Sequence, residues 1–430
     1  VFDVSDRDVV DLNASYLEDI STGFYDIPGY LPQKREQWLT SARYRHFGDS
    51  SETSVVLYGR FGKQHADSAT APSYTSIAYK GTYDDQTVGI NVQSAHRISA
   101  SQQLTFGMDY LDGSVNVVED QFLTTPGRVA NRKGYVTRTG AFVQDEIKPN
   151  DRWIVNVVGR LDYWKTHGSQ TDTLAGQPTG DYPERSGSVF SPKLSALYKL
   201  MPQTNLRGSV GKAFKMPELS EMYSSSKRGS ITYWGNPNLV PETVFAYELG
   251  LDHYFGKRGH VKFTLYRNDA ANFVYSVVRD ATNNDKVNVE GVVTKGLEVE
   301  AAYRPTDQFR LSGSYTYNDS TVTESARDPA LVGKQLIYVP KHQGYARAEF
   351  DLPEAMLLFV SANYVGNRFA TDKNTSNYRK YTTYDLGISK RFSATLDARL
   401  AIVNITDNIY DGIGYMAPGR LVSATVNAKF

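Results

Sequence analysis

The sequence predicts an all-β chain folded as a transmembrane antiparallel β-barrel. Three observations predict it. Apolar side chains recur at every second position over many stretches. Those stretches run about 10 residues or more, the length a tilted strand needs to cross a bilayer, whereas strands of soluble sheets average about 5–6. Their connections alternate between short polar turns and long loops.

Composition sets the outer bounds. At about 150 residues per domain, 430 residues suggest two or three domains unless one large β body takes the whole length. With 47 Lys+Arg against 47 Asp+Glu, neither nucleic-acid binding nor polybasic membrane attachment is expected of the chain as a whole. The absence of Cys removes disulfides, thiolate metal sites and Cys nucleophiles. The longest apolar run, around residues 356–360, is far below the ~18 residues of a spanning helix. A mean hydropathy of −0.44 does not argue against a barrel, whose strands alternate lipid-facing and lumen-facing residues. Val1 is not Met, and residues 1–11 show no basic start followed by an apolar core, so a mature chain or a fragment is expected.

The strands follow from their faces. In residues 104–110, Leu104, Phe106, Met108 and Tyr110 oppose Thr105 and Asp109. Val261, Phe263 and Leu265 oppose Lys262, Thr264 and Tyr266. Leu297, Val299, Ala301 and Tyr303 oppose Glu298 and Glu300. Leu358, Val360, Ala362 and Tyr364 oppose Ser361 and Asn363, and Tyr384, Leu386 and Ile388 oppose Asp385 and Ser389. At the end, Val422, Ala424, Val426, Ala428 and Phe430 oppose Ser423, Thr425, Asn427 and Lys429. Tyr163, Tyr247, Tyr254, Tyr303 and Tyr364, near strand ends, fit interfacial aromatic girdles.

Short turns are read at residues 47–51, 99–102, 148–151, 201–204, 255–259, 304–307, 352–354 and 391–394. Long loops are read at 20–34, 62–84, 112–136, 165–187, 212–243, 320–341, 367–379 and 407–418, with a shorter one at 280–286. Short periplasmic turns opposite long extracellular loops are the outer-membrane arrangement. The count is 18 strands, beginning near residues 7–18, with residues 74–83 assigned to a loop because a separate strand there breaks the up–down parity. A barrel must close, since an open edge leaves backbone groups unpaired in hydrocarbon.

Motifs sharpen the reading. Residues 211–223, GKAFKMPELSEMY, carry Phe214, Pro217 and Leu219. Residues 235–242, GNPNLVPE, carry Asn236, Pro237, Asn238, Leu239, Pro241 and Glu242. Residues 288–304 place Gly296 and Glu298 in a strand, and residues 404–430 contain Gly419, Arg420 and a terminal Phe430. In this order the pieces resemble TonB-dependent outer-membrane receptors, well over residues 137–430 and by strand pattern alone before that. The prolines fix φ where strands leave the membrane, Asn236 and Asn238 can cap backbone groups, and Gly235 and Gly419 permit unusual backbone geometry, so a loop-shaping role is expected for these motif residues.

The resemblance implies a Gram-negative outer-membrane barrel of about 22 strands with a plugged lumen. It implies energisation through TonB, acting on an N-terminal plug region of which nothing is visible here. It places residue 1 near the fifth strand, so residues 1–430 are expected to be the barrel portion of a receptor without its plug and first strands. It also implies recognition of Phe430 by the barrel-assembly machinery. Lipopolysaccharide and outer-membrane lipid are expected neighbours, a monomer is expected, and no nucleic acid.

Ferric siderophores are the commonest cargo of the resembled family. Cationic and aromatic groups suit an anionic, aromatic-rich chelate. The expected ligand residues are Arg128, Arg132 and Tyr135 in one loop, Trp164, then Tyr223, Lys227, Arg228, Tyr233 and Trp234 in the motif loop, and Tyr410 and Tyr415 near the last loop. Haem is disfavoured because the resemblance implies a His between the two motifs in haem receptors and residues 216–236 contain none, and zinc because the seven His form no metal-like pairs. Cobalamin stays open on the spacing of residues 288–298, and Ca²⁺ enters only with it, through Asp67, Asp84 and Asp85. No resident cofactor or metal is expected. No G-x-S-x-G, H-E-x-x-H or P-loop occurs, so no enzyme is expected. The alternative to a receptor is a complete 18-stranded passive porin.

Overall fold

The computed structural model describes residues 2–21, 33–69, 77–122, 127–173, 179–228, 231–410, 417 and 419–429. The strands in chain order are β1 (Phe2–Ser5), β2 (Asp8–Ser21), β3 (Gln33–Phe47), β4 (Ser51–Ala69), β5 (Ile77–Ser99), β6 (Gln102–Gln121), β7 (Arg128–Asn150), β8 (Trp153–Asp172), β9 (Gly180–Met201) and β10 (Thr204–Lys215). After a short helix α1 (Leu219–Tyr223) come β11 (Ser225–Arg228), β12 (Ile231–Trp234), β13 (Glu242–Tyr254), β14 (Gly259–Asp280), β15 (Asn283–Tyr303) and β16 (Phe309–Glu324). The chain ends with β17 (His342–Leu352), β18 (Met356–Val365), β19 (Arg368–Phe369), β20 (Asn377–Tyr378), β21 (Tyr381–Arg391), β22 (Leu396–Val403) and β23 (Leu421–Ala428).

Eighteen of these form the wall among the described residues: β2 to β10, β13 to β18 and β21 to β23, each antiparallel to the next. That is the number the alternation and parity predict. The short turns lie at residues 48–50, 100–101, 151–152, 202–203, 255–258, 304–308, 353–355 and 392–395, all at one end. Gly256, at φ +59°, makes one of them where an L side chain is strained.

One strand shows how the membrane band is built. On β8, Trp153, Val155, Val157, Leu161 and Tyr163 share the outward face, while Asn156, Arg160 and Asp162 share the inward face. The ten steps from Trp153 to Tyr163, at about 3.3 Å each and a tilt near 40°, rise about 25 Å, the height of a barrel's apolar band. Trp153 packs on Tyr198 at its foot, and the Lys165–Glu184 ion pair (2.7 Å) sits just above Tyr163. Outward Tyr303, packed edge-on against Phe255, marks the foot of the band elsewhere, whereas Tyr254 shares the inward face of Asp252.

The strands do not stop at the membrane, and this corrects the loop boundaries. β5 and β7 each run 23 residues, β9 and β14 each 22. Residues expected in loops at 62–84, 112–136 and 165–187 are therefore largely strand, and the connection expected at 280–286 is a two-residue turn at 281–282. Residues 79–83 belong to β5 and make no strand of their own. Above the bilayer the ladder continues while the lipid-facing requirement ends, so the alternating signal fades before the hydrogen bonds do.

Buried apolar side chains among the described residues cluster above the membrane. One group joins Tyr275, Val277, Val287, Val289, Val292 and Val322 to Leu331 and Leu336 of the β16–β17 loop. The other joins Met222, Tyr223 and Leu239. The lumen wall is laced with ion pairs instead, such as Arg45–Asp11 (3.2 Å), Arg207–Asp252 (3.2 Å) and Arg310–Asp351 (2.8 Å).

The sheet has two edges. Among the described residues β23 pairs with β22 alone, and β2 carries only the four-residue β1 opposite its β3 side. All eight residues of β23 are exposed. A passive 18-stranded pore would need β2 and β23 to pair, and that pairing is absent among the described residues.

Candidate functional site

The motif loop between β10 and β13 folds inward over the extracellular end of β6–β9. Pro217 ends the strand run, and Glu218 opens α1 with a reciprocal capping box to Glu221. The helix turns Met222 and Tyr223 into the wall. There Gly134 and Gly168 are directly paired across β7 and β8, and the Tyr223 ring lies over both. Burial pushes the Tyr223 phenol above its ordinary pKa, with the Thr166 hydroxyl beside it.

The return path is fastened by polar groups. The Asn236 amide nitrogen donates to the Lys286 carbonyl (3.0 Å), and its oxygen accepts from the Asn238 N–H (2.9 Å). Arg185 donates to the carbonyls of Pro237 and Leu239 (3.2 and 3.1 Å). The Asn288 side chain accepts from the Val240 N–H and donates to the carbonyls of Val240 and Asn272. Glu242 accepts from the Val274 N–H (2.6 Å), and Leu239 and Pro241 are buried. Phe214, opposite Thr243, is the last but one residue of β10, on the outward face. These contacts tie Asn236, Leu239 and Glu242 of the motif to the wall through Lys286, Arg185 and Val274.

The other expected ligand residues part company. Arg128 makes a bidentate pair with Asp172 (3.0 and 2.6 Å), which raises the guanidinium pKa further. Arg132 pairs with Glu119 (2.5 Å) and approaches Asp172 (3.9 Å), and all three side chains are less than 5 % exposed. Both were expected in a loop as cations open to a ligand. They sit in β7 with carboxylates already against them. Tyr135 faces outward, stacked on His167 (4.7 Å). Trp164, expected in a loop, is buried in β8 against Gly187.

Tyr233 and Trp234 lie in β12, which pairs in parallel with the start of β15. The Trp234 indole donates to Asn283 Oδ1 (2.7 Å). Asn283 in turn donates to Asp280 (2.9 Å). The Thr282 amide and Asn283 hold the Asp280 carboxyl down to about 2. Lys227 and Arg228 fall in β11, on the same hairpin. Tyr410 stacks on Tyr381 at 3.8 Å. The Arg420 N–H donates to Asp407, which also faces Gly419. Tyr415 and Phe430 lie outside the described residues.

Two luminal features carried no sequence signal. A polar cavity of 410 Å³ is lined by Glu248, Thr264, Tyr266, Glu298, Asn318 and Gln343 among others. Gly296 borders it because the Tyr266 ring and the Tyr317 carbonyl occupy the space a β-carbon would need. Nearby, Phe359 is buried over Gly387, with the guanidinium carbons of Arg347 and Arg399 at 4.0 and 4.7 Å from its ring centre. Alternation alone places these side chains inward, and only the register brings them together.

No group of three His, Asp or Glu able to hold a metal occurs among the described residues. Asp85, considered for Ca²⁺, is bound by Arg60 (3.0 and 2.5 Å).

The family model "TonB dependent receptor-like, beta-barrel" matches residues 2–405. The chain belongs to that family. It is thus a stretch of an outer-membrane β-barrel wall. The iron-regulated outer membrane virulence protein of Vibrio cholerae serotype O1 is 25 % identical over 338 residues, covering 74 % of this chain and 47 % of that protein. The vitamin B12 transporter BtuB of Photobacterium profundum is 25 % identical over 303 residues, 69 % of this chain and 45 % of that one. The siderophore receptor PiuA from Acinetobacter baumannii shares the fold at a TM-score of 0.81 and 15 % identity, over 99 % of this chain and 72 % of that structure. The TonB-dependent receptor barrel described here spans about half the length of the curated relatives it matches.

Proposed function

We propose that the chain forms the barrel wall of a receptor, not an enzyme, that binds a ferric siderophore at the cell surface and imports it by TonB-dependent transport. The observation that carries this reading is the family match across residues 2–405, together with relatives named for iron regulation and for ferrioxamine. The loop geometry supports it. The motif loop is pinned over the mouth through Tyr223, Asn236 and Arg185, which leaves a preformed rim on which a rigid chelate loses little freedom.

In this reading TonB and a lumen-filling plug act through parts of the protein beyond these residues, and the receptor works as a monomer. The ligand contacts come from the hairpin bearing Lys227, Arg228, Tyr233 and Trp234 and from the last loop with Tyr410 and Tyr415, with Arg128, Arg132 and Trp164 in supporting positions and outward Tyr135 set apart from them.

The test is growth. The full-length gene is expressed in an iron-starved strain stripped of its own receptors, with and without TonB, and supplied with a panel of ferric siderophores. Growth on at least one chelate, lost without TonB, is expected. No growth on any chelate, with growth on limiting cobalamin, assigns the protein to cobalamin instead. That second reading is favoured by the 25 % identity to a vitamin B12 transporter.

A further inference from the structure

The outward face of β13–β16 carries a net positive charge at the edge of the apolar band. Lipid-facing Leu249, Leu265, Leu297 and Tyr317 lie directly across from one another in register. One step above them the row reads Tyr247, Arg267, Lys295 and Asp319. Arg267 and Lys295 are exposed and directly opposite, an arrangement that like charges disfavour. Lys212, opposite outward Phe245, stands one level above the row on β10, since Tyr247 itself faces Val210.

The nearby carboxylates neutralise it only in part. Arg267 pairs with Asp269 (2.8 Å), and Asp319, which faces Lys295 in register, pairs instead with Lys341 (3.1 Å). Four cations stand against two carboxylates, an excess of two positive charges. The outward face of β2–β3 is built differently, with Lys34 between Glu18 and Glu36 (3.3 and 2.7 Å).

We infer that Arg267 and Lys295, flanked by Lys212, hold the phosphate of an outer-leaflet lipid headgroup, whose acyl chains lie on Leu249, Leu265 and Leu297. Position selects the partner. The cations sit at headgroup height beside Tyr247, their stems lie along apolar surface, and a phosphate between two opposed cations turns repulsion into charge-assisted hydrogen bonds. This inference rests on the membrane orientation of the wall and is independent of the cargo.

The experiment uses the full-length receptor in nanodiscs, either with lipopolysaccharide or with zwitterionic phosphatidylcholine alone. The variants are Arg267→Gln/Lys295→Gln, each single change, and Lys34→Gln as the control. Native mass spectrometry is expected to show lipopolysaccharide retained by the wild type and the control, and reduced about tenfold or more in the double variant, since two charge-assisted bonds are lost. Lipopolysaccharide is expected to raise the melting temperature of the wild type but not of the double variant. In phosphatidylcholine alone the double variant is expected to melt no lower than the wild type, because its opposed charges are gone. Equal retention by the wild type and the double variant overturns the site. Stabilisation of the wild type by millimolar inorganic phosphate to the same extent as by lipopolysaccharide overturns its assignment to a lipid.

Discussion

Tyr223 lies across Gly168 so closely that a β-carbon on the glycine would stand 2.6 Å from the ring. A helix of five residues is thereby keyed to a strand about 55 positions earlier, and the whole motif loop takes its place from that contact. Replacing Gly168 with Val is expected to expel the Tyr223 ring at a cost of about 1–3 kcal/mol, the usual range for overpacking. The wall should remain intact. Limited proteolysis is expected to cut within residues 216–241 in the variant and not in the wild type, with ligand affinity falling in parallel.

The Arg132–Glu119 pair is buried on both sides. Arg132→Gln leaves Glu119 charged and without its guanidinium, and removal of one partner of such a pair typically costs about 3–5 kcal/mol. Chemical denaturation of the extracellular end, followed by hydrogen exchange in β6 and β7, should show the loss. Lys34→Gln, on an exposed pair, should leave the same exchange unchanged.

The tryptophans report the faces of the wall. Trp38 and Trp153 are 51 % and 39 % exposed on the lipid side, whereas Trp164 is 7 % exposed on the inner side. In single-Trp variants reconstituted with brominated lipid, Trp38 and Trp153 should be strongly quenched. Trp164 should be quenched neither by that lipid nor by aqueous iodide. Strong lipid quenching of Trp164 would reverse the assignment of faces on β8.

Asp280 makes the hairpin contact pH-dependent in a narrow acid window. Its carboxyl is depressed from an ordinary 3.8 to about 2 by the Thr282 amide and Asn283. A depressed carboxyl contributes its stabilisation above the ordinary value and loses it as pH falls through the folded value. The Asn283 amide, and with it the Trp234 indole bond, should therefore stay ordered at pH 4 and loosen near pH 2. Emission of Trp234 across that range checks this, and Asp280→Asn should show the loosened spectrum already at pH 7.

Much of the wall was legible in the sequence. The alternation of Val261, Phe263 and Leu265 with Lys262, Thr264 and Tyr266 places each residue on its face without reference to any partner. The parity of turns and loops counts 18 strands because every strand must return through the bilayer. The stretch from Phe214 to Glu242 identified the family.

The site was legible only in part. Arg128 and Arg132 read as free cations because Glu119 and Asp172, which neutralise them, lie on other strands and are joined to them only by register. Trp164 and Tyr135 read as loop residues because β7 and β8 continue past the bilayer, where alternation carries no lipid signal.

The division has one physical cause. Lipid and water act on each residue separately, so period-two hydrophobicity by itself determined the fold class, the strand count and the lipid-facing side chains. Ion pairing, aromatic-over-glycine packing and the opposed Arg267 and Lys295 depend on which residues meet across strands. That register is a property of the assembled sheet, and only the tertiary structure decided it.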